Sequence, residues 1–166
     1  MVDLHSVMET QERARKHIKI ADRMLTQTYP IVQDPKLLLA ILESIYAGMR
    51  ESIMALLFYE RYHRRISTIA QDFDIQFNTL KLEIAGRYEI PHEVIKFIQD
   101  IKLRLAFHKD SPVEFSRKDS FVMCSPKYET KVLTTESIKD ALKKAKQFIA
   151  IVAGIISKKE ERAIRI

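Results

Sequence analysis

Residues 34–65 read DPKLLLAILESIYAGMRESIMALLFYERYHRR, and this stretch decides the fold class. Asp34 can cap a helix, and Pro35 fits the first turn, where a missing N–H costs nothing. The helix so begun is expected to run to about Arg65. Its middle, Ile53-Met54-Ala55-Leu56-Leu57-Phe58-Tyr59, is apolar on nearly every face. A helix apolar all round is normally buried all round, which makes this the expected central helix. Its basic end, Arg61-Tyr62-His63-Arg64-Arg65, suits the negative end of the helix dipole.

Helical periodicity extends to both sides of this segment. Val7, Ala14, Ile18, Ala21 and Leu25 recur at spacings of three and four, so residues 5–28 form an amphipathic helix that Tyr29-Pro30 should end. Phe73, Phe77, Leu80 and Ile84 mark a helix over about 73–88, closed by Gly86 and Pro91. Another spans about 91–108 on Val94, Ile95, Ile98, Ile101 and Leu105. At Ser111-Pro112 the pattern changes. Val113-Glu114-Phe115 and Ser120-Phe121-Val122-Met123 flank a polar turn, and Lys131-Val132-Leu133 offers a third strand. A small β-hairpin or meander over 113–134 is expected, packed on the helices because a lone hairpin is marginal in water. Thr134 or Thr135 then caps a last helix with Ile138, Leu142, Ala145 and Phe148 in its stripe, followed by a basic C-terminal tail from about residue 157. The expectation is a mainly all-α domain over 1–166: a compact bundle of four to five helices with one small hairpin.

Composition agrees with this reading. With 166 residues, 46% hydrophobic and 30% charged, the chain suits one soluble core and not a disordered or collagen-like polymer. Three glycines and five prolines are too few for a many-stranded fold. The single cysteine, Cys124, excludes an intramolecular disulfide and a zinc-finger framework. The N-terminus has no apolar signal core, and the longest apolar run, Phe148 to Ile156, has nine residues. No membrane association and a cytoplasmic location are therefore expected. That run lies near the end of the chain, where one domain rarely wraps it fully, so a homodimer contact is expected there.

The net charge is +6; from Lys139 onward there are eight Lys or Arg against three Asp or Glu, so +5 of it lies at that end. Lys158 and Lys159 join Arg61, Arg64 and Arg65 as candidate phosphate contacts. Aromatic rings interleave with the basic residues at Tyr59 to Arg65, a pattern able to stack bases while holding phosphates. A solvated helix end with snorkelling side chains is the plainer reading of the same residues. Within the central helix, Glu43, Arg50 and Glu51 sit among apolar neighbours, with Glu43 and Arg50 seven apart on one face. Such groups are paired or lie on a functional face. A buried salt bridge to a neighbouring helix is one expectation, and a cleft shared with His108 is the other.

The fourth helical segment ends Lys102-Leu103-Arg104-Leu105-Ala106-Phe107-His108. Residues four apart share a helix face, so Arg104 and His108 form a candidate catalytic pair, with Lys102 on a neighbouring side. A histidine can move a proton at neutral pH, and an arginine can hold a phosphate through two bonds. Together they can cleave RNA through its 2′-hydroxyl without a metal. A surface arginine and a histidine favoured by the helix dipole account for the same spacing. Other chemistries are excluded by inventory. There is no glycine-rich phosphate loop, HExxH, CxxC or Gly-x-Ser-x-Gly, and the five histidines lack ligand spacing. No metal and no cofactor are expected.

The long helices and the Arg104…His108 helix end resemble the HEPN superfamily of small helical bundles, over residues 5–155. The resemblance implies a dimer and, as in many members, a metal-independent ribonuclease. The family's usual motif has four to six residues between Arg and His. Here Arg104 precedes His108 by three, while Lys102 has five intervening but is lysine, followed by Leu103. This departure favours a non-catalytic dimeric protein that binds a protein partner or nucleic acid. A HEPN-like metal-independent endoribonuclease and a structural subunit of an assembly are the alternatives.

Overall fold

The computed structural model describes residues 2–164, with side chains for residues 2–158. Helix α1 spans Leu4–Arg23, α2 Tyr29–Val32, α3 Lys36–Tyr62, α4 Phe73–Thr79, α5 His92–Lys109 and α6 Thr135–Ile164. Strands β1 Val113–Arg117, β2 Ser120–Cys124 and β3 Thr130–Thr134 form one antiparallel sheet in the order β1-β2-β3. The mainly helical bundle expected from the sequence is present, and the hairpin is a three-stranded meander. Helix α3 is the central element. Ile53, Ala55, Leu56, Leu57 and Tyr59 are all no more than 1% exposed, while Met54 and Phe58 of the same run are only half-buried, so one side of it stays partly open.

The first helix does not stop at Tyr29-Pro30. It widens into a π-helical turn at Met24–Thr28, in which the Tyr29 N–H reaches back to the Met24 carbonyl. This wide turn carries the Pro30 ring past the carbonyl that it would strike in a regular turn. Tyr29 keeps helical angles (φ −59°, ψ −42°), and the chain turns only at Gln33, in the left-handed conformation at φ 54°. The Asp34 carboxylate then accepts the Lys36 N–H at 3.0 Å, as the cap reading required. The short connection lays α1 antiparallel along α3. At Gly48 the two helices come so close that a Cβ would lie 2.8 Å from Ile18 Cδ1 and 3.2 Å from the Ala14 carbonyl, so only glycine fits without displacement.

Helix α6 starts at a reciprocal cap. Ser137 N–H donates to Thr134 Oγ1 at 3.1 Å, and Thr134 N–H donates to Ser137 Oγ at 3.0 Å. Ile138, Leu142, Ala145, Phe148, Val152 and Ile156 are buried against α3 and α1. Ile149, Ile151 and Ile155 lie half-buried against the same core. Within the Phe148–Ile156 run, three residues are thus buried in their own chain, five are half-buried and Ala150 is exposed, so the run is only partly covered. The backbone read as a basic tail stays helical to Ile164. Lys158 is exposed on it, and the Lys159 side chain lies outside the described residues. On the sheet, Phe121, Met123 and Leu133 point into the core, while Val113, Phe115 and Val132 stay exposed on the other face.

Candidate functional site

A concave feature follows one face of α3. Three depressions run together because they share lining residues. The first, about 950 Å³, is lined by Arg61, Tyr62, Arg64, Arg65, Ser67 and Glu83, among others. The second, about 570 Å³, shares Arg61 and Ser67 with it and adds Met54, Phe58, Gln71 and Gln76. The third, about 470 Å³, shares those last four residues and adds Arg13, His17, Arg50 and Glu51. Ala47, Arg50, Met54, Phe58 and Arg61 recur at three or four residues, so they form one helical stripe. From Ala47 to Arg61 the stripe is about 21 Å long at 1.5 Å per residue. Helix α1 supplies Arg13 and His17 to the groove, the segment from Ser67 to Gln76 supplies much of the rest, and Val2, Ile66 and Glu83 complete the basic end.

A local motif positions the basic end. Helix α3 closes with the Arg65 N–H on the Glu60 carbonyl and the Arg64 N–H on the Arg61 carbonyl, both at 2.9 Å. This closure needs a left-handed residue, normally glycine, and here Arg64 holds it at φ 57°. The conformation costs about 1–2 kcal/mol for a residue with a Cβ. In return the turn carries a guanidinium where glycine would carry none. Arg61 donates to the Ile66 carbonyl at 3.4 Å, and Tyr62 is 45% exposed beside it. His63 meets Tyr59 and Tyr62 edge to face, and its burial, with the nearby Arg65 charge, lowers its pKa. It therefore stays neutral at neutral pH and adds no cation.

Beneath this turn lies a buried acid that sequence reading missed. Glu60 is 0% exposed, and its carboxylate is held by Arg65 (2.6 Å), by Arg87 and by the Tyr88 hydroxyl. Arg65 also donates to the Tyr88 hydroxyl at 2.5 Å. Burial raises the Tyr88 pKa, with Arg65 opposing, so this hydroxyl remains a donor across the neutral range. Arg65 is thus committed to neutralising a buried charge. It also lines the groove, so the same guanidinium serves the fold and faces the depression. One signal was available in the sequence, a lone acid directly after the run apolar on every face, with an arginine five residues on.

The other expected groups divide. Glu51 pairs with Arg13 of α1 at 3.1 Å, a bridge to a neighbouring helix as expected but partly exposed (44% at Arg13 and 30% at Glu51) where a buried one was expected. Glu43 is exposed and makes no ion pair among the described residues, so it forms no buried bridge to a neighbouring helix. Arg50 instead lies over the Phe73 ring at 5.1 Å and the Tyr46 ring at 5.9 Å, and it has no carboxylate partner among the described residues. Lys102 approaches the same Phe73 ring at 6.0 Å and is bonded to Asp74. The structure therefore gathers Arg50 and Lys102 around one ring, and His108 lines none of the three depressions. The Nδ1 atom of His108 bonds Glu114 on β1, a partner from another element that helical spacing does not reveal. Arg104 is half-buried and makes no hydrogen bond or ion pair among the described residues. Among the described residues no group of His, Cys, Asp and Glu has the arrangement to hold a metal ion, and no helix is long and apolar enough to cross a membrane. Comparison with protein-family models, with curated proteins and with solved structures yields no match.

Proposed function

We propose that this protein is a nucleic-acid-binding module and that its ligand is a single strand lying along the α3 groove. One observation carries this reading: a continuous groove about 21 Å long on one helix face, with arginines at both ends and an apolar middle. Arg50, Arg61 and Arg64 have no carboxylate partner among the described residues and supply the phosphate contacts. Met54 and Phe58 give the bases an apolar bed, and exposed Tyr62 gives one of them a stacking surface. The expected homodimer is no part of this reading, because one chain builds the whole groove. Lys158 lines none of the three depressions and serves as a control.

The test is fluorescence anisotropy with a labelled single-stranded RNA over a salt series. Wild-type binding should weaken with salt, with a log–log slope of about −0.7 per phosphate contact. Arg50→Ala and Arg61→Ala should each weaken binding roughly tenfold, since a hydrogen bond to a charged group contributes about 1.5–3 kcal/mol. Lys158→Ala should leave binding unchanged. Equal affinity in all four proteins would remove the groove from consideration.

A second reading rests on the His108–Glu114 pair. A carboxylate on Nδ1 fixes the tautomer and orientation of the imidazole and leaves Nε2 to act as a base. With Arg104 one turn away on α5, this arrangement supports the metal-independent ribonuclease implied by the HEPN resemblance. Cleavage of RNA should then persist in EDTA, and His108→Ala should slow it roughly 100-fold or more. Equal cleavage by wild type and His108→Ala would point to a contaminant.

A further inference from the structure

The two ends of the groove differ in chemistry, and the difference defines a subsite. At the Arg64 end the depression is wide, and its free cations sit on an exposed turn. At the other end, a depression of about 470 Å³ is surrounded by Arg13, His17 and Arg50, with the Gln76 side chain nearly buried in its wall. The two guanidinium groups there are held in advance. The Arg50 guanidinium is fixed against Phe73 and Tyr46 and has no carboxylate partner among the described residues. Arg13 is held by Glu9 and Glu51, each at 3.1 Å, so it offsets the one carboxylate that faces this depression. His17 is half-buried, with no hydrogen bond or ion pair among the described residues.

We infer that this end is a subsite for a terminal phosphomonoester of the bound strand. The inference rests on the nucleic-acid reading and deepens it. A phosphomonoester carries about −1.5 to −2 charge at neutral pH and three strong acceptor oxygens, against a single charge on an internal phosphodiester. The Arg50 fork, the one guanidinium here with no carboxylate partner among the described residues, offers paired donors that favour the more highly charged, three-oxygen group. Arg50 pays little ordering entropy on binding, because the two rings already orient it. The apolar part of the groove begins next door. Met54 and Phe58 lie four and eight residues along α3 from Arg50, about 6 and 12 Å along the axis. A phosphate at Arg50 therefore leaves its own nucleoside over Met54 and Phe58.

The experiment uses the full chain and one short single-stranded RNA in three forms: 5′-phosphorylated, 3′-phosphorylated, and hydroxyl at both ends. One phosphorylated form should bind about tenfold tighter than the hydroxyl form. Arg50→Gln should abolish that advantage, and Arg61→Ala should weaken all three forms while preserving it. Both arginines are on the surface, and thermal melts of the variants establish that they fold. A nucleoside monophosphate matching the favoured end should displace the strand at lower concentration than inorganic phosphate does. Equal binding of the three forms overturns the subsite and leaves the groove reading standing. Equal potency of inorganic phosphate overturns the assignment to a strand end. Binding of none of the three overturns the groove reading itself, and the subsite with it.

Discussion

Phe148→Ala is expected to lower the thermal midpoint by roughly 10 °C. Phe148 is 0% exposed, and α6 packs against both α3 and α1. Truncating a buried phenylalanine costs about 3–5 kcal/mol, because transfer energy is lost and the surroundings collapse only partly into the cavity. For a chain of this size each kcal/mol is worth about 2–4 °C. Leu82→Ala supplies the contrast. Leu82 is 75% exposed, so its truncation should stay within about 0.5 kcal/mol of wild type. Circular dichroism melts of the three proteins decide the matter. A Phe148→Ala midpoint within 2 °C of wild type, about the worth of a surface change, would mean that α6 is not anchored as described.

Glu60→Ala should destabilise by about 3 kcal/mol in denaturant melts, at the lower end of the usual 3–5 for breaking a buried charge pair. The lower end applies because the partners left behind are not sealed in. The Arg65 and Arg87 side chains are 19% and 37% exposed, so water can compensate part of their charge. The Tyr88 hydroxyl loses its carboxylate acceptor at the same time. Glu60→Ala and Arg65→Ala should also be non-additive by at least about 0.5 kcal/mol, as expected for residues in one network. Strict additivity would show that Glu60 and Arg65 do not act as a pair. The same variants bear on the groove, because Glu60 supplies the backbone carbonyl and the carboxylate that hold the Arg61–Arg65 turn in place.

The candidate site was partly legible. Arg61 and Arg64 stood out as a basic run interleaved with rings, and Arg50 as a cation within an apolar helix. The structural role of Arg65 was not legible, for a definite reason. In the sequence it is one arginine of a run, and only the buried Glu60 beneath it distinguishes its role. The Lys102–Asp74 contact has the same origin, since the two residues are 28 apart in sequence. Helical spacing reports neighbours within an element and says nothing of neighbours between elements.

Local rules read from the sequence alone were sufficient for the central helix, the Asp34 and Thr134 caps, the change of period at Ser111-Pro112 and the inward faces of α1, α3 and α6. Each depends on residues within a few positions of one another, where turn geometry and hydrophobic period act directly. Tertiary structure alone decided which polar groups meet: Arg13 with Glu51, Glu60 with Arg65 and Arg87, His108 with Glu114, and Arg50 with Lys102 around Phe73. It also decided that Phe148, Val152 and Ile156 belong to the core and that α3 keeps one face open as a groove. The reason is physical. Apolar burial is non-directional and is satisfied by many partners, so periodicity reveals it. Hydrogen bonds and ion pairs need particular atoms at about 3 Å, and those atoms come together only when the helices and the sheet have docked.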